Sequence, residues 1–207
     1  RSYFENETRV FLSLPEVKER LPLGEPFLRR DELGPFCGRQ DEKARIREFL
    51  ASDKFFLVTH GAGGTGKTRL LVEVGEEIAS EGDWQVLWAN VESMTATGSW
   101  FEAVVPERAT LLLVDEPHDE TILQQLAEQL GSRVGRTAKW KVAVAVRSPK
   151  DPVLRFLRGA TMKQRVQELP LFPLPSADAE QMCFELLKTG KCANFSDEAK
   201  REAARQI

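Results

Sequence analysis

Between Gly61 and Thr68 the chain reads Gly-Ala-Gly-Gly-Thr-Gly-Lys-Thr, which satisfies the phosphate-binding pattern G-x-x-x-x-G-K-[ST] without a mismatch. Residues of these types at this spacing can hold a polyphosphate. Gly61, Gly63, Gly64 and Gly66 let the backbone curl so that its N–H groups point inward at an anion, with Ala62 and Thr65 completing the loop. Lys67 supplies a cation for the β- and γ-oxygens, Thr68 supplies a hydroxyl for Mg²⁺, and Arg69, next in line, is counted with the loop. The start of a following helix would add its positive dipole end.

A second group of residues complements the first. Leu111-Leu112-Leu113-Val114-Asp115-Glu116 is an apolar strand pattern ending in two carboxylates. At the C-terminal end of a parallel strand both would face a phosphate crevice. Asp115 is the expected Mg²⁺ ligand, directly or through water, and Glu116 the expected acceptor of a proton from attacking water. A third run, residues 142–146, closes on Arg147, where a fixed cation could sense a γ-phosphate. The competing account of Arg147 is an ordinary arginine in a basic segment. From Arg133 to Arg165 the chain carries Arg136, Lys139, Lys141, Arg147, Lys150, Arg155, Arg158 and Lys163 against Asp151 as the only acid. Such a stripe suits nucleic acid or an acidic neighbour, but with only Trp140 and Phe156 among it a solvated basic face is the plainer account. His60 and His118 flank the first two motifs as hydrogen-bonding neighbours. Trp84, Trp88, Trp100 and Trp140 read as packing residues.

The elements that must position these groups follow from periodicity. Strands are expected at 55–59, 85–91, 110–114, 141–146 and 165–171. Helical patterns lie between them at 67–80, 119–130 and 151–158, and an earlier helix from Gly38 carries Ile46, Phe49 and Leu50. Strands alternating with helices predict an α/β fold: a three-layer P-loop sandwich around a five-stranded parallel sheet. Residues 1–35, with Pro15, Pro22, Pro26 and Pro35, read as a linker or arm, within which 10–14 and 21–23 could pack on the domain surface. Residues 36–174 form the expected nucleotide-binding domain. Beyond Pro175 the pattern turns helical, at 177–187 and again from Asp197, as the start of a helical subdomain at 175–207.

Composition sets further bounds. The 207 residues suit one α/β domain with a small appendage, and a net charge of −3 gives no general affinity for polyanions. Cys37, Cys183 and Cys192 have no C-x-x-C spacing and read as free thiols of a reducing, cytoplasmic compartment. No apolar run approaches the roughly 20 residues of a membrane span. Arg1, Glu5, Glu7 and Arg9 are unlike a signal peptide. The opening Arg and the helical pattern at the end suggest a segment of a longer protein.

Phe36-Cys37-Gly38-Arg39-Gln40-Asp41-Glu42, then an amphipathic helix, then the phosphate loop, resembles the opening of STAND-type signalling ATPases. These regulatory relatives of AAA+ proteins include the NACHT and NB-ARC groups. The resemblance spans about residues 36–207. It implies that Phe36, Gly38 and Arg39 pack on the nucleoside and that adenine is the base. It matches Arg147 to the arginine closing the family's third strand, although Ala145-Val146 stand where the family often has Thr or Ser. Residues 168–174 resemble the family's exit into its helical subdomain, while the Gly-x-Pro element of that subdomain is absent. The implied function is a slow, Mg²⁺-dependent ATPase whose nucleotide state switches self-association and fused effector or sensor domains. Two rivals stand beside it: a DNA-associated AAA+ motor or loader, and a nucleotide-dependent scaffold that never hydrolyses.

Overall fold

A computed structural model describes residues 10–20, 36–91, 93–94, 108–117, 121–131, 140–159, 162–189 and 195–205. The chain divides into two compact units, Arg1–Val17 with Asp41–Phe172, and Lys18–Gln40 with Pro173–Ile207. His118, Trp100, Arg133, Arg136, Lys139, Cys192 and residues 21–23 lie outside the described residues.

The first unit is built on a six-stranded sheet. Its strands are β1 (Phe11–Leu12), β2 (Phe56–His60), β3 (Trp84–Ala89), β4 (Ala109–Asp115), β5 (Trp140–Val146) and β6 (Val166–Pro170), in the spatial order β1-β3-β4-β5-β2-β6. Five are parallel, as the alternating pattern predicts. β1 is the addition: it pairs antiparallel with β3, placing Phe11 against Ala89 and Leu12 against Trp88. Within the apolar stretch at 10–14, Phe11 and Leu12 thus cover the open edge of β3 and shield unpaired backbone groups there, while the buried Leu14 lies against Gly75. Ser13 then starts α1 (Leu14–Arg20), with Glu16 reaching back to its backbone N–H and hydroxyl, each at 2.8 Å. That is a capping box, and it fixes where the strand gives way to the helix.

Helices cover both faces. β5 is buried at every position, as expected of a strand at the centre of a parallel sheet. One face joins Phe56, Val58, Leu112, Val114, Val142, Val144 and Val146 to α4 (Thr121–Gly131) through Ile122, Leu123 and Leu126, and to α5 (Pro152–Leu157) through Val153, Leu154 and Leu157. Each such side chain contributes roughly 1.5–3 kcal/mol on full burial. The other face carries α2 (Gln40–Ala51) and α3 (Lys67–Glu81), joined by Lys43 and Arg47 to Glu77 at 2.5 and 3.4 Å. Gly75 lets α3 lie close on the sheet, because a Cβ there would meet Leu113 Cδ1 at 2.9 Å. Glycine within a helix costs about 1 kcal/mol, which this close packing offsets.

In the second unit α6 (Ser176–Thr189) and α7 (Asp197–Arg205) pack together, burying Phe184 and Ala204 and pairing Arg205 with Glu180 at 3.1 Å. The segment 36–39 belongs to this unit. Gly38 and Arg39 both have left-handed backbone, φ 71° and 65°, and a Cβ at Gly38 would meet Asp178 Oδ2 at 2.6 Å.

Candidate phosphate and metal site

Register sets the site. His60 pairs with Val146 across β2 and β5, and Asp115 with Ala145 across β4 and β5, so three adjacent parallel strands end at one level. Gly61, Glu116 and Arg147 are the next residues of each chain segment, gathered at the carboxyl edge where open α/β sheets bind ligands.

The phosphate loop runs from β2 into α3. Gly64 and Gly66 have φ of 79° and 85°, and Gly66 caps α3 with no side-chain hydrogen bond to the first-turn N–H groups. Those donors, with the helix dipole, form an anion site. A Cβ at Gly63, Gly64 or Gly66 would meet nothing within 4 Å. Gly61 differs, since a Cβ there would meet Leu171 O at 2.4 Å. Lys67, only 4% exposed, donates from Nζ to the carbonyls of Gly61 and Ala62, both at 3.0 Å. Thr65 Oγ1 donates to Ala62 O at 2.9 Å and tightens the turn.

Thr68 Oγ1 donates to Asp115 Oδ2 at 2.8 Å. Asp115 Oδ1 is buried and has no hydrogen-bond partner among the described residues. Burial pushes this carboxyl's pKa up; the Thr68 bond opposes the rise, Glu116 adds to it, and Lys67 and Arg147 oppose it. An orphaned carboxylate oxygen beside a hydroxyl suits a hard divalent cation. No cluster of three or more His, Cys, Asp or Glu able to hold a metal occurs among the described residues. One carboxylate beside one hydroxyl fits Mg²⁺, which binds through one or two carboxylates with substrate phosphates and water.

Glu116 and Arg147 meet at the rim. Arg147 donates to Glu116 Oε2 from Nε at 2.7 Å and from Nη2 at 2.6 Å, with the arginine side chain 75% exposed. Glu116 has φ 43°, uncommon for a residue with a side chain. Its N–H donates to Ala145 O at 2.9 Å.

Of the expected site residues, Gly61 through Thr68, Asp115, Glu116 and Arg147 come together. Arg69 pairs with Glu73 at 2.5 Å along α3. Phe36, Gly38 and Arg39 lie in the other unit. The basic stripe is partly consumed within the fold. Lys141 is buried, donates to Ser52 O at 2.7 Å and to Lys54 O, and lies over Phe49. Arg158 forks onto Glu168, Arg165 covers Phe55, and Lys150, Arg155 and Lys163 are exposed. Sequence reasoning passed over Glu168, which binds Arg158 and His60 together. Its partners sit on separate elements, so no spacing signalled it. Among the described residues no helix is long and apolar enough to cross a membrane.

Together the doubly covered sheet, the glycine loop and the strand-end carboxylates define a P-loop α/β sandwich, and solved structures share its fold. A chain of the E. coli MS115-1 HORMA:CdnC:Trip13 complex matches with a TM-score of 0.58 at 17% identity, over 82% of this chain and 73% of that one. The S. cerevisiae Hsp104:casein complex in its extended conformation matches with a TM-score of 0.65 at 15% identity, over 99% of this chain and 37% of that one. The S. cerevisiae Hsp104–ADP complex gives 0.61 at 15% identity, over 88% and 27%. The chain thus spans between about a quarter and little more than a third of the Hsp104 chains it resembles, and the likeness is one of fold. No protein-family model matches it, and neither does any curated protein.

Proposed function

We propose that this chain binds Mg²⁺-ATP and hydrolyses it slowly, as the switch domain of a larger STAND-like signalling or defence protein. One observation carries the reading: Thr68, the last residue of the phosphate loop motif, meets Asp115 at 2.8 Å, with Asp115 Oδ1 left buried and unpartnered. Lys67 and the loop N–H groups neutralise the β- and γ-phosphates. Thr68 and Asp115 hold Mg²⁺, which when bound supplies charge compensation at the phosphate oxygens.

Glu116 orients water and takes its proton. To do so its carboxylate must leave Arg147, whose guanidinium then faces the γ-phosphate. A base paired with a cation until triphosphate arrives supports a response to nucleotide state. ATP then favours an assembled, active state and ADP a closed one. The test is to identify nucleotide retained through purification and to measure Mg²⁺-ATP turnover with and without DNA. Retained ADP with slow turnover indifferent to DNA is the expected result. A protein that binds neither ADP nor ATP sinks the reading. The exposed Lys150, Arg155 and Lys163 support a second reading, a DNA-associated motor or loader. Turnover that rises sharply with DNA, and falls off with salt, would favour it.

A further inference from the structure

Beyond the phosphate site, three polar side chains link elements that are distant in sequence. Arg158, at the end of α5, donates from Nε to Glu168 Oε1 and from Nη2 to Glu168 Oε2, each at 2.7 Å. Its third nitrogen, Nη1, donates to Pro149 O at 2.9 Å. Glu168 Oε2 also meets His60 Nε2 at 3.3 Å. We propose that Arg158, Glu168 and His60 are positioning residues that register the phosphate loop against the loop bearing Arg147. The inference rests on the nucleotide-binding reading above and adds to it the groups that align its two halves.

The sheet explains why such a link is needed. The β2–β5 ladder ends at the pair His60 and Val146, so Gly61 and Arg147 are the first residues beyond it. Past that point no strand pairing holds the phosphate loop at a fixed distance from the arginine. The three side chains begin where the ladder stops. On one side His60 adjoins Gly61, and its carbonyl accepts a bond from Leu171 N at 2.7 Å. On the other, Pro149 lies two residues past Arg147, in a turn closed by Asp151 N donating to Ser148 O at 3.1 Å. A single carboxylate in β6 therefore reaches both loops.

The fork geometry matters as well as the charge. Arginine presents two parallel donors to Glu168 and keeps a third for Pro149, an arrangement that lysine lacks. The arginine side chain is 46% exposed and the glutamate 33%, so a substitution here leaves the apolar core intact.

The test compares Arg158→Lys and Glu168→Gln with the unaltered chain, well below each protein's melting temperature. ATP and ADP affinities are measured with fluorescent analogues, and kcat and KM with Mg²⁺-ATP. We expect ADP affinity to stay within about threefold while the preference for ATP over ADP, and kcat with it, falls about tenfold, as small misplacements near reacting groups do. Variants that melt earlier yet keep the full ATP preference and kcat would overturn the positioning role and leave a purely structural one. If the unaltered chain binds neither nucleotide, the nucleotide reading falls and this inference with it. If it binds both and the variants match it throughout, only the positioning role falls.

Discussion

Asp115 ends β4 with one oxygen bonded to Thr68 and the other buried without a partner, whereas Glu116, one residue on, has its carboxylate held by Arg147 at the rim. Both belong to the same proposed site, but their surroundings prepare them differently. In the buried half, desolvation of Asp115 is only partly offset by Thr68 and the neighbouring cations, so a bound cation has something to complete. In the exposed half, guanidinium and carboxylate already satisfy each other in a screened setting that holds them weakly. Burial thus decides which carboxylate waits for a ligand and which must first be released.

The sharpest challenge to that contrast is Lys67→Ala, which should weaken ATP binding by at least about a hundredfold through loss of the buried cation. Titration with a fluorescent analogue checks it, and affinity within threefold of the unaltered chain would place the nucleotide elsewhere. Glu116→Gln tests the other half. It should keep ATP affinity and lower kcat about a hundredfold or more, in the range general bases supply. Unchanged turnover would remove Glu116 from the chemistry.

Asp115→Asn separates the halves by pH. The folded pKa of Asp115 lies above the ordinary 3.8, so ionisation costs stability at neutral pH. That cost is relieved as pH falls through the raised value toward 3.8. Subtracting the denaturation profile of Asp115→Asn from that of the unaltered, nucleotide-free chain should isolate this rise. Glu168 runs the other way, because Arg158 holds its pKa below 4.5. Its contribution is present above 4.5 and is lost as pH falls through the depressed value. A flat Asp115 difference would remove the buried strain from the comparison. The smallest effect is expected from Arg147→Ala without nucleotide: no measurable change in melting temperature. A clear drop would mean that the rim pair is structural and does not open freely.

The phosphate loop and the Asp115-Glu116 pair were legible because each is contiguous and each is framed by an apolar strand pattern. β1 escaped notice because two residues show no period, although the Ser13-Leu14-Pro15-Glu16 signature that terminates it stood in the sequence. The basic stripe was legible only in part. Composition counts charges without saying where they point, and Lys141 turned inward to carbonyls of the loop after α2. The link through Glu168 had no sequence signal, since its partners meet only after the sheet has brought β2, β6 and α5 together.

One feature of the phosphate loop bears on how its glycines withstand mutation. Gly61 is confined by the carbonyl of Leu171, while Gly63 faces open space with ordinary backbone angles. A library selected for folding alone would accept side chains at Gly63 and reject them at Gly61. A library selected for nucleotide binding would reject both. Two glycines of one loop are therefore under different constraints, Gly61 from the carbonyl just past β6 and Gly63 from the proposed ligand.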